Sequence, residues 1–349
     1  MSGYHRRPRR FAWLLGALAT LGLVITAGPV HADPPLPAPP LDPTTAVAQV
    51  GPAVVNIDTQ MGYARAVSAG TGIVIDPSGL VLTNNHVVAG ATQINATSVG
   101  TQQSYDVDVL GYDRTHDVAL LRLRGASGLP VADLGDSNTV SVGDPVIAMG
   151  NAGGQGGTPS AVRGSIVSLN ETVSASDDLT GASETLTGML RASTPLRPGD
   201  SGGPMVDATG RVIGVNTAAS ENYRMAQPGG EGFAIPINQA LAIANQIRSG
   251  NASDTVHIGA TPFLGIGVVD YNGAGARIVQ VLDNTPAQQA GLQRGDVLLG
   301  LGGEPIDSAT ALTRAIDLHH PGDTVELRWR TATGADRNAN ITLAVGPVG

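Results

Sequence analysis

The chain has 349 residues, a formal net charge of −9, no cysteine and no lysine. Disulfides, a thiol nucleophile, Cys-ligated zinc, a Ser-Lys dyad, a Schiff-base lysine and a P-loop lysine are thereby excluded, so nucleophilic chemistry must lean on histidine and carboxylates. The acidic balance argues against a nucleic-acid partner, and the length suits two ordinary domains.

In chain order, Arg6, Arg7, Arg9 and Arg10 precede an apolar run from Phe11 to Ala27, followed by Val30-His31-Ala32. Residues 1–32 read as a secretory signal cut after Ala32, which places the mature chain outside the cell or in its envelope. An uncleaved membrane anchor is the rival reading, because the run approaches the length of a spanning helix. Residues 33–43, DPPLPAPPLDP, read as a proline-rich extended spacer.

From residue 44 to 248 short apolar runs follow one another between turn residues: VVNIDT, GTGIVID, GLVLTN, YDVDVLGYD, VALLRLR, DPVIAMG, RGSIVSL and GRVIGVNTA. Many short strands predict a mainly β domain, a barrel or a sandwich. Helical spacing is confined to Pro43 to Gln49 and Pro236 to Arg248. Residues 249–261 read as a linker, and residues 262–346 as a second, smaller unit with a helix from Asp307 to Leu318.

RPGDSGGPM, residues 197–205, sets one serine among three glycines. A serine becomes nucleophilic when an imidazole removes its proton and a carboxylate fixes that imidazole from the other side, with backbone N–H groups facing the developing oxyanion. Gly199 and Ser201 are the expected N–H donors, since flanking glycines permit the required backbone. Of the seven histidines, His5 and His31 fall in the signal and His257 in the linker. His319 and His320 precede Pro321-Gly322 without sharing a helix face, and His116 adjoins Asp117. His86, in LVLTNNHVVAGA, remains as the base. For the carboxylate, Asp117 opens a buried-looking strand whereas Asp113 reads as a solvated turn residue, so Asp117 is selected. GDSGG also fits the nucleophile elbow of α/β-hydrolases, but an elbow leads into a helix and is followed by an acid and then a histidine. Here MVDATGRVIGV reads as a hairpin.

TNNHVVAGA, DVALLRL and GDSGGP, in that order and followed by FLGIGV and AGLQRGDVLLGLGG, resemble the HtrA (DegP-like) serine proteases, close to their secreted PepA-type members, over about residues 46–345. The resemblance implies a trypsin-like double β-barrel followed by one PDZ domain. It implies a secreted endopeptidase acting on unfolded or flexible proteins, with His86 as general base, Asp117 as its orienter and Ser201 as nucleophile. A catalytically idle peptide-binding chaperone is the competing function. No cofactor or metal is implied, and a homotrimer is left open.

Two departures stand out. Asp200 occupies a position where many HtrA proteins carry Asn, yet no Ile-Val-Gly-Gly-like sequence supplies the new N-terminus that pairs with this Asp in digestive proteases. The segment between the first strands, Thr59 to Ala69, is short where some members carry a long loop used in cage assembly. For the first specificity pocket the expected residues are Pro195, Asn216 and Ala218, with no buried acid, so small or medium aliphatic residues should precede the cut bond. Phe263, Leu264, Gly265 and Ile266 resemble the PDZ loop that captures a peptide's terminal carboxylate. Residues 174–187 read as a solvated loop. Four Asn-x-Ser/Thr tripeptides, at Asn95, Asn170, Asn251 and Asn340, are assigned no function.

Overall fold

The computed structural model describes residues 1–3, 41–63, 66–177, 183–217, 223–225 and 230–349. All but the first three residues of the expected signal, most of the spacer and Ala218 lie outside them. Residues 40–349 form one compact unit.

It begins with helix α1 (Pro43–Val50), where Asp42 caps the N-terminus through the N–H groups of Thr44 and Thr45 and proline takes the first helical position, which needs no N–H. Strands β1 (Val54–Met61), β2 (Ala66–Asp76), β3 (Leu80–Thr83), β4 (Gln93–Ser98), β5 (Ser104–Asp113) and β6 (Val118–Leu123) follow, with the one-turn helix α2 (Asn85–Val88) after β3. These strands pair antiparallel, and β5 also pairs with β6, so the sheet closes on itself as a barrel. Its interior holds Val55, Ile57, Val74, Val81, Leu121 and Leu123.

The second barrel contains β7 (Pro145–Gly150), β8 (Ser160–Asp177), β9 (Ser183–Ala192), β10 (Pro204–Val206), β11 (Val212–Thr217), β12 (Tyr223–Met225) and β13 (Gly232–Pro236). Among the described residues the order is β12-β8-β7-β10-β11-β13-β9, with β8 and β9 paired to complete the closure. GDSGGP does lead into a hairpin, β10 with β11, and not into a helix. Residues 174–187, expected as a loop, are in large part the arms of the β8–β9 hairpin; the paired Val173 and Leu186 are buried, each between exposed Ser or Thr neighbours, an alternation that the Ser/Thr-rich composition concealed.

Helix α3 (Ile237–Arg248) packs Ile237, Ala240, Ile243, Ala244 and Ile247 into the largest apolar cluster, which also contains core residues from strands of both barrels. Residues 249–261 are not a free linker. Strand β14 (Val256–Ile258) pairs with β5 and becomes the edge of the first barrel's sheet. That covering strand makes Asp113 a buried residue, bonded to His116 and Thr255, where the sequence suggested a solvated turn.

The final domain comprises β15 (Pro262–Phe263), β16 (Ile266–Asp270), β17 (Ala276–Val281), helix α4 (Pro286–Gln289), β18 (Val297–Leu301), β19 (Glu304–Pro305), helix α5 (Ala309–Asp317), β20 (Thr324–Arg330), β21 (Asp336–Thr342) and β22 (Ala344–Val345). Ser308 caps α5 through the N–H of Ala311. Strand β16 lies at the sheet edge, and a separate core of Leu264, Ile278, Leu298, Leu312, Leu327 and Trp329 supports it. The domain is tied to the first barrel by Asp317, whose carboxylate accepts from Tyr112 Oη at 2.7 Å and Arg114 Nε at 2.6 Å. His257 places its ring nitrogens 2.9 and 3.0 Å from the carbonyls of Asp317 and Ala260.

Candidate active site

His86, Asp117 and Ser201 reach one point from three separate elements. His86 rides on α2, immediately after the buried strand β3, and Ser201 sits in the turn before β10. Asp117 precedes β6 with φ of +55°, a left-handed conformation that Asp tolerates better than most residues because its short side chain bonds locally.

The imidazole links the other two. Nε2 of His86 lies 2.9 Å from Ser201 Oγ, and Nδ1 lies 2.8 Å from Asp117 Oδ2. The His86 backbone N–H donates to Asp117 Oδ1 at 3.0 Å, so the carboxylate is held by main chain as well as ring. Asn84 Nδ2 donates to the Asp117 carbonyl and to Thr217 Oγ1, at 3.1 and 3.2 Å, anchoring the left-handed residue to β11. Asp117 and Ser201 are 1% and 3% exposed. In this dry setting an acid-imidazole pair can stabilise the positive charge that forms when the imidazole takes a proton.

The turn around Ser201 is fixed carbonyl by carbonyl. Pro198 O accepts from Gly153 N at 2.7 Å, Gly199 O from Thr71 Oγ1 at 2.6 Å, Asp200 O from Gly203 N at 3.1 Å and Ser201 O from Thr71 N at 2.8 Å. In a trans peptide the N–H points opposite to its carbonyl. Holding Pro198 O and Asp200 O therefore turns the N–H groups of Gly199 and Ser201 to the other side. Gly199 has φ of +96°, and a Cβ there would stand 2.1 Å from Asn151 O, so only glycine fits.

Asp200 lies under this turn, 3% exposed. Its Oδ2 accepts from Arg197 N at 2.9 Å and its Oδ1 makes a weaker contact with Ser160 Oγ at 3.5 Å. Burial pushes its carboxyl above the usual carboxylate range, against the smaller opposing effect of those hydrogen bonds.

The expected specificity pocket is not assembled as anticipated. Pro195 is exposed and forms no pocket floor. Leu196 turns inward instead: a Cβ on Gly232 would stand 2.6 Å from its Cγ. Asn216 is fully buried with Nδ2 committed to the carbonyls of Met149 and Pro204, which makes it a strut between strands. Between the final domain and the first barrel a cavity of about 300 Å³ is lined by Leu264, Gly265, Ile266 and Leu312 on one side and by Met61, Tyr63 and Arg114 on the other. Phe263 meets Tyr63 of the first barrel at 5.5 Å between ring centroids. Among the described residues no group of three His, Asp or Glu side chains is placed to hold a metal ion.

Sequence reasoning missed Thr71, Asn84 and Asn151. Asn84 stood in plain view in TNNH, and Thr71 in GTG, but neither carries chemistry of its own.

A family model described as the Trypsin-like peptidase domain matches residues 70–215, and one for the PDZ domain matches residues 262–343. Serine protease PepD of Mycobacterium tuberculosis is 35% identical over 338 residues, covering 91% of this chain and 70% of its own. A probable periplasmic serine endoprotease described as DegP-like, from Pseudomonas putida, is 29% identical and covers 98% of this chain and 76% of its own. The chain belongs to the HtrA (DegP-like) serine proteases. Among solved structures, the HtrA-type protease AlgW with tripeptide superimposes with a TM-score of 0.51 at 28% identity, covering 88% of this chain and 97% of that one. This HtrA-type protein is thus a serine endopeptidase, mainly β, whose trypsin-like domain precedes one PDZ domain.

Proposed function

We propose that this HtrA protease cuts peptide bonds with Ser201 as nucleophile, His86 as general base and Asp117 as the residue that orients it. The observation that carries the reading is the His86 bridge, 2.9 Å to Ser201 Oγ and 2.8 Å to Asp117 Oδ2. With Nδ1–H donated to Asp117, the Nε2 lone pair accepts the Ser201 hydroxyl proton as Oγ attacks the scissile carbonyl. The N–H groups of Gly199 and Ser201 then receive the oxyanion. His86 returns the proton to the leaving amine, and water repeats the sequence in reverse roles to free the enzyme.

The substrates are unfolded or flexible protein segments, because a scissile peptide bond must reach Ser201, which is only 3% exposed, and a folded surface cannot present one there. The PDZ domain binds peptide C-termini: Gly265 at φ of +87° shapes the loop before edge strand β16, and an added strand can pair there beside α5. Relatives described as periplasmic and the N-terminal reading of residues 1–32 support a site of action in the cell envelope or outside the cell. The test is degradation of an unfolded protein such as reduced, denatured casein. Wild type should cleave it and Ser201→Ala should not; equal activity in the two proteins refutes the nucleophile assignment.

A further inference from the structure

Thr71 belongs to the first barrel, on β2, yet its polar groups reach the turn that presents Ser201 in the second. It is fully buried. Its hydroxyl donates to Gly199 O at 2.6 Å and accepts from Asn151 N at 2.9 Å. Its N–H donates to Ser201 O at 2.8 Å, and its own carbonyl accepts from Thr83 Oγ1 at 2.6 Å. Of the four successive carbonyls from Pro198 to Ser201, Thr71 alone holds two, those on either side of Asp200.

The contact with Asn151 extends this hold. Asn151 opens the segment in which Gly154 N donates to Asn151 O at 2.8 Å and Gly153 N donates to Pro198 O at 2.7 Å. The Asn151 side chain closes the same segment, its oxygen accepting from Gly156 N at 2.7 Å. A hydroxyl is suited to this place because it can donate to a carbonyl and accept from an N–H at once. An apolar side chain of the same shape leaves both peptide groups buried and unpaired, which frees them to rotate toward other partners. The Pro198 carbonyl is the consequential one: rotation of its peptide would carry the Gly199 N–H away from the substrate oxygen and bring a carbonyl in its place.

We propose that Thr71 is a positioning residue for the oxyanion site, its hydroxyl bracing the Gly199 peptide and the Asn151 to Gly154 segment so that the Gly199 N–H faces the substrate carbonyl. The proposal rests on the assignment of Ser201 and its turn given above. It explains how the turn can stand ready although Asp200 accepts only neutral donors among the described hydrogen bonds. The brace comes from the neighbouring barrel instead of from an ion pair at Asp200.

The experiment compares full-length wild type, Thr71→Val, Thr71→Ser and Ser201→Ala on a peptide substrate, with a peptide aldehyde as inhibitor. The aldehyde forms a tetrahedral adduct whose oxygen occupies the same site. Thr71→Val should lower kcat by about 10²-fold or more with KM changed little, the size expected when one oxyanion donor is lost. Aldehyde inhibition should weaken in step, because the inhibitor imitates the transition state. Thr71→Ser, which keeps the hydroxyl, should restore kcat to within about tenfold of wild type, an increase of at most about 1.4 kcal/mol in the barrier. Thr71→Ala, assayed at a temperature where circular dichroism shows it folded, replaces the valine variant should that one not fold. Activity lost in Ser201→Ala but kept in the hydroxyl-free variant overturns the brace alone. The brace is equally overturned if Thr71→Ser is as inactive as Thr71→Val, or if aldehyde affinity is unchanged while kcat falls. Activity indifferent to Ser201→Ala overturns the nucleophile assignment and this proposal with it.

Discussion

Ser201 Oγ lies 2.9 Å from Nε2 of His86, although the two residues are 115 positions apart and belong to different barrels. Only the docking of the barrels creates the pair, and Thr71 reaches from the same barrel as His86 to the carbonyls of Gly199 and Ser201. Replacing Ser201 or His86 by Ala should each reduce kcat by about 10⁴-fold or more, and the double variant should be scarcely slower than either, because the residues act as one unit. Steady-state assays of the three proteins check this; losses that multiply in the double variant would contradict it.

Asp200 gives the protein a pH signature. Burial raises its carboxyl in the folded state, so the folded form holds the proton more tightly than the unfolded form. Its favourable contribution is therefore complete below the unfolded value and is lost as pH rises through the folded one. Asp200→Asn removes this titration. The Tm of the variant minus that of wild type should be more positive at about pH 7 than at about pH 3, the two lying on either side of the ordinary carboxylate value. A difference that shrinks as pH rises would show that Asp200 is stabilised as an anion.

Gly265 predicts the chemistry of the PDZ groove. A Cβ at this position would stand 2.2 Å from Thr285 Cβ, and the backbone is left-handed, so Gly265→Ala must distort the loop. In the full-length protein carrying Ser201→Ala, a peptide ending in Val or Leu should bind with its free carboxylate and about tenfold or more weaker as the C-terminal amide, a difference of about 1.4 kcal/mol or more. Gly265→Ala should erase that preference. Titration calorimetry reads both, and equal affinity of acid and amide in the parent protein would refute the carboxylate-loop assignment.

Asp317 should matter to stability more than its position near the end of α5 suggests. Its carboxylate satisfies Tyr112 Oη and Arg114 Nε at once, and both ionic partners have side chains only 17% exposed. Asp317→Ala removes the shared acceptor of both donors and should cost about 3 kcal/mol, whereas Tyr112→Phe removes one neutral donor and should cost about 1 kcal/mol. Denaturant unfolding of the full-length variants measures the two losses. Equal costs would mean that the Arg114 contact contributes nothing.

The sequence carried the chemistry of the site more fully than its support. A lysine-free, cysteine-free chain left histidine as the available base, and hydrogen-bonding logic then selected His86, Asp117 and Ser201. Helices α1, α3 and α5 were legible in the sequence, α1 and α3 from their helical spacing. What escaped was whatever depends on a long-range neighbour. Asp113 read as solvated because strand β14, which covers it, is hidden in a Gly- and Ser-rich stretch. Pro195 was placed inside and Leu196 overlooked, since the direction of a side chain in a turn follows from the turn's hydrogen bonds, not from its distance in sequence to the nucleophile. Strands β4 and β9 are too polar in pattern to stand out. Thr71 is an ordinary strand residue until Gly199 and Asn151 are packed against it.

The central claim is that Ser201 is made nucleophilic by His86, and covalent labelling tests it without reference to any substrate. Full-length protein treated with a fluorophosphonate should gain one adduct, located on Ser201 by peptide mass spectrometry. Labelling should be lost in Ser201→Ala and slowed by about 10³-fold or more in His86→Ala, where no base withdraws the proton. An adduct on another residue, or labelling of Ser201 at the wild-type rate without His86, would contradict it.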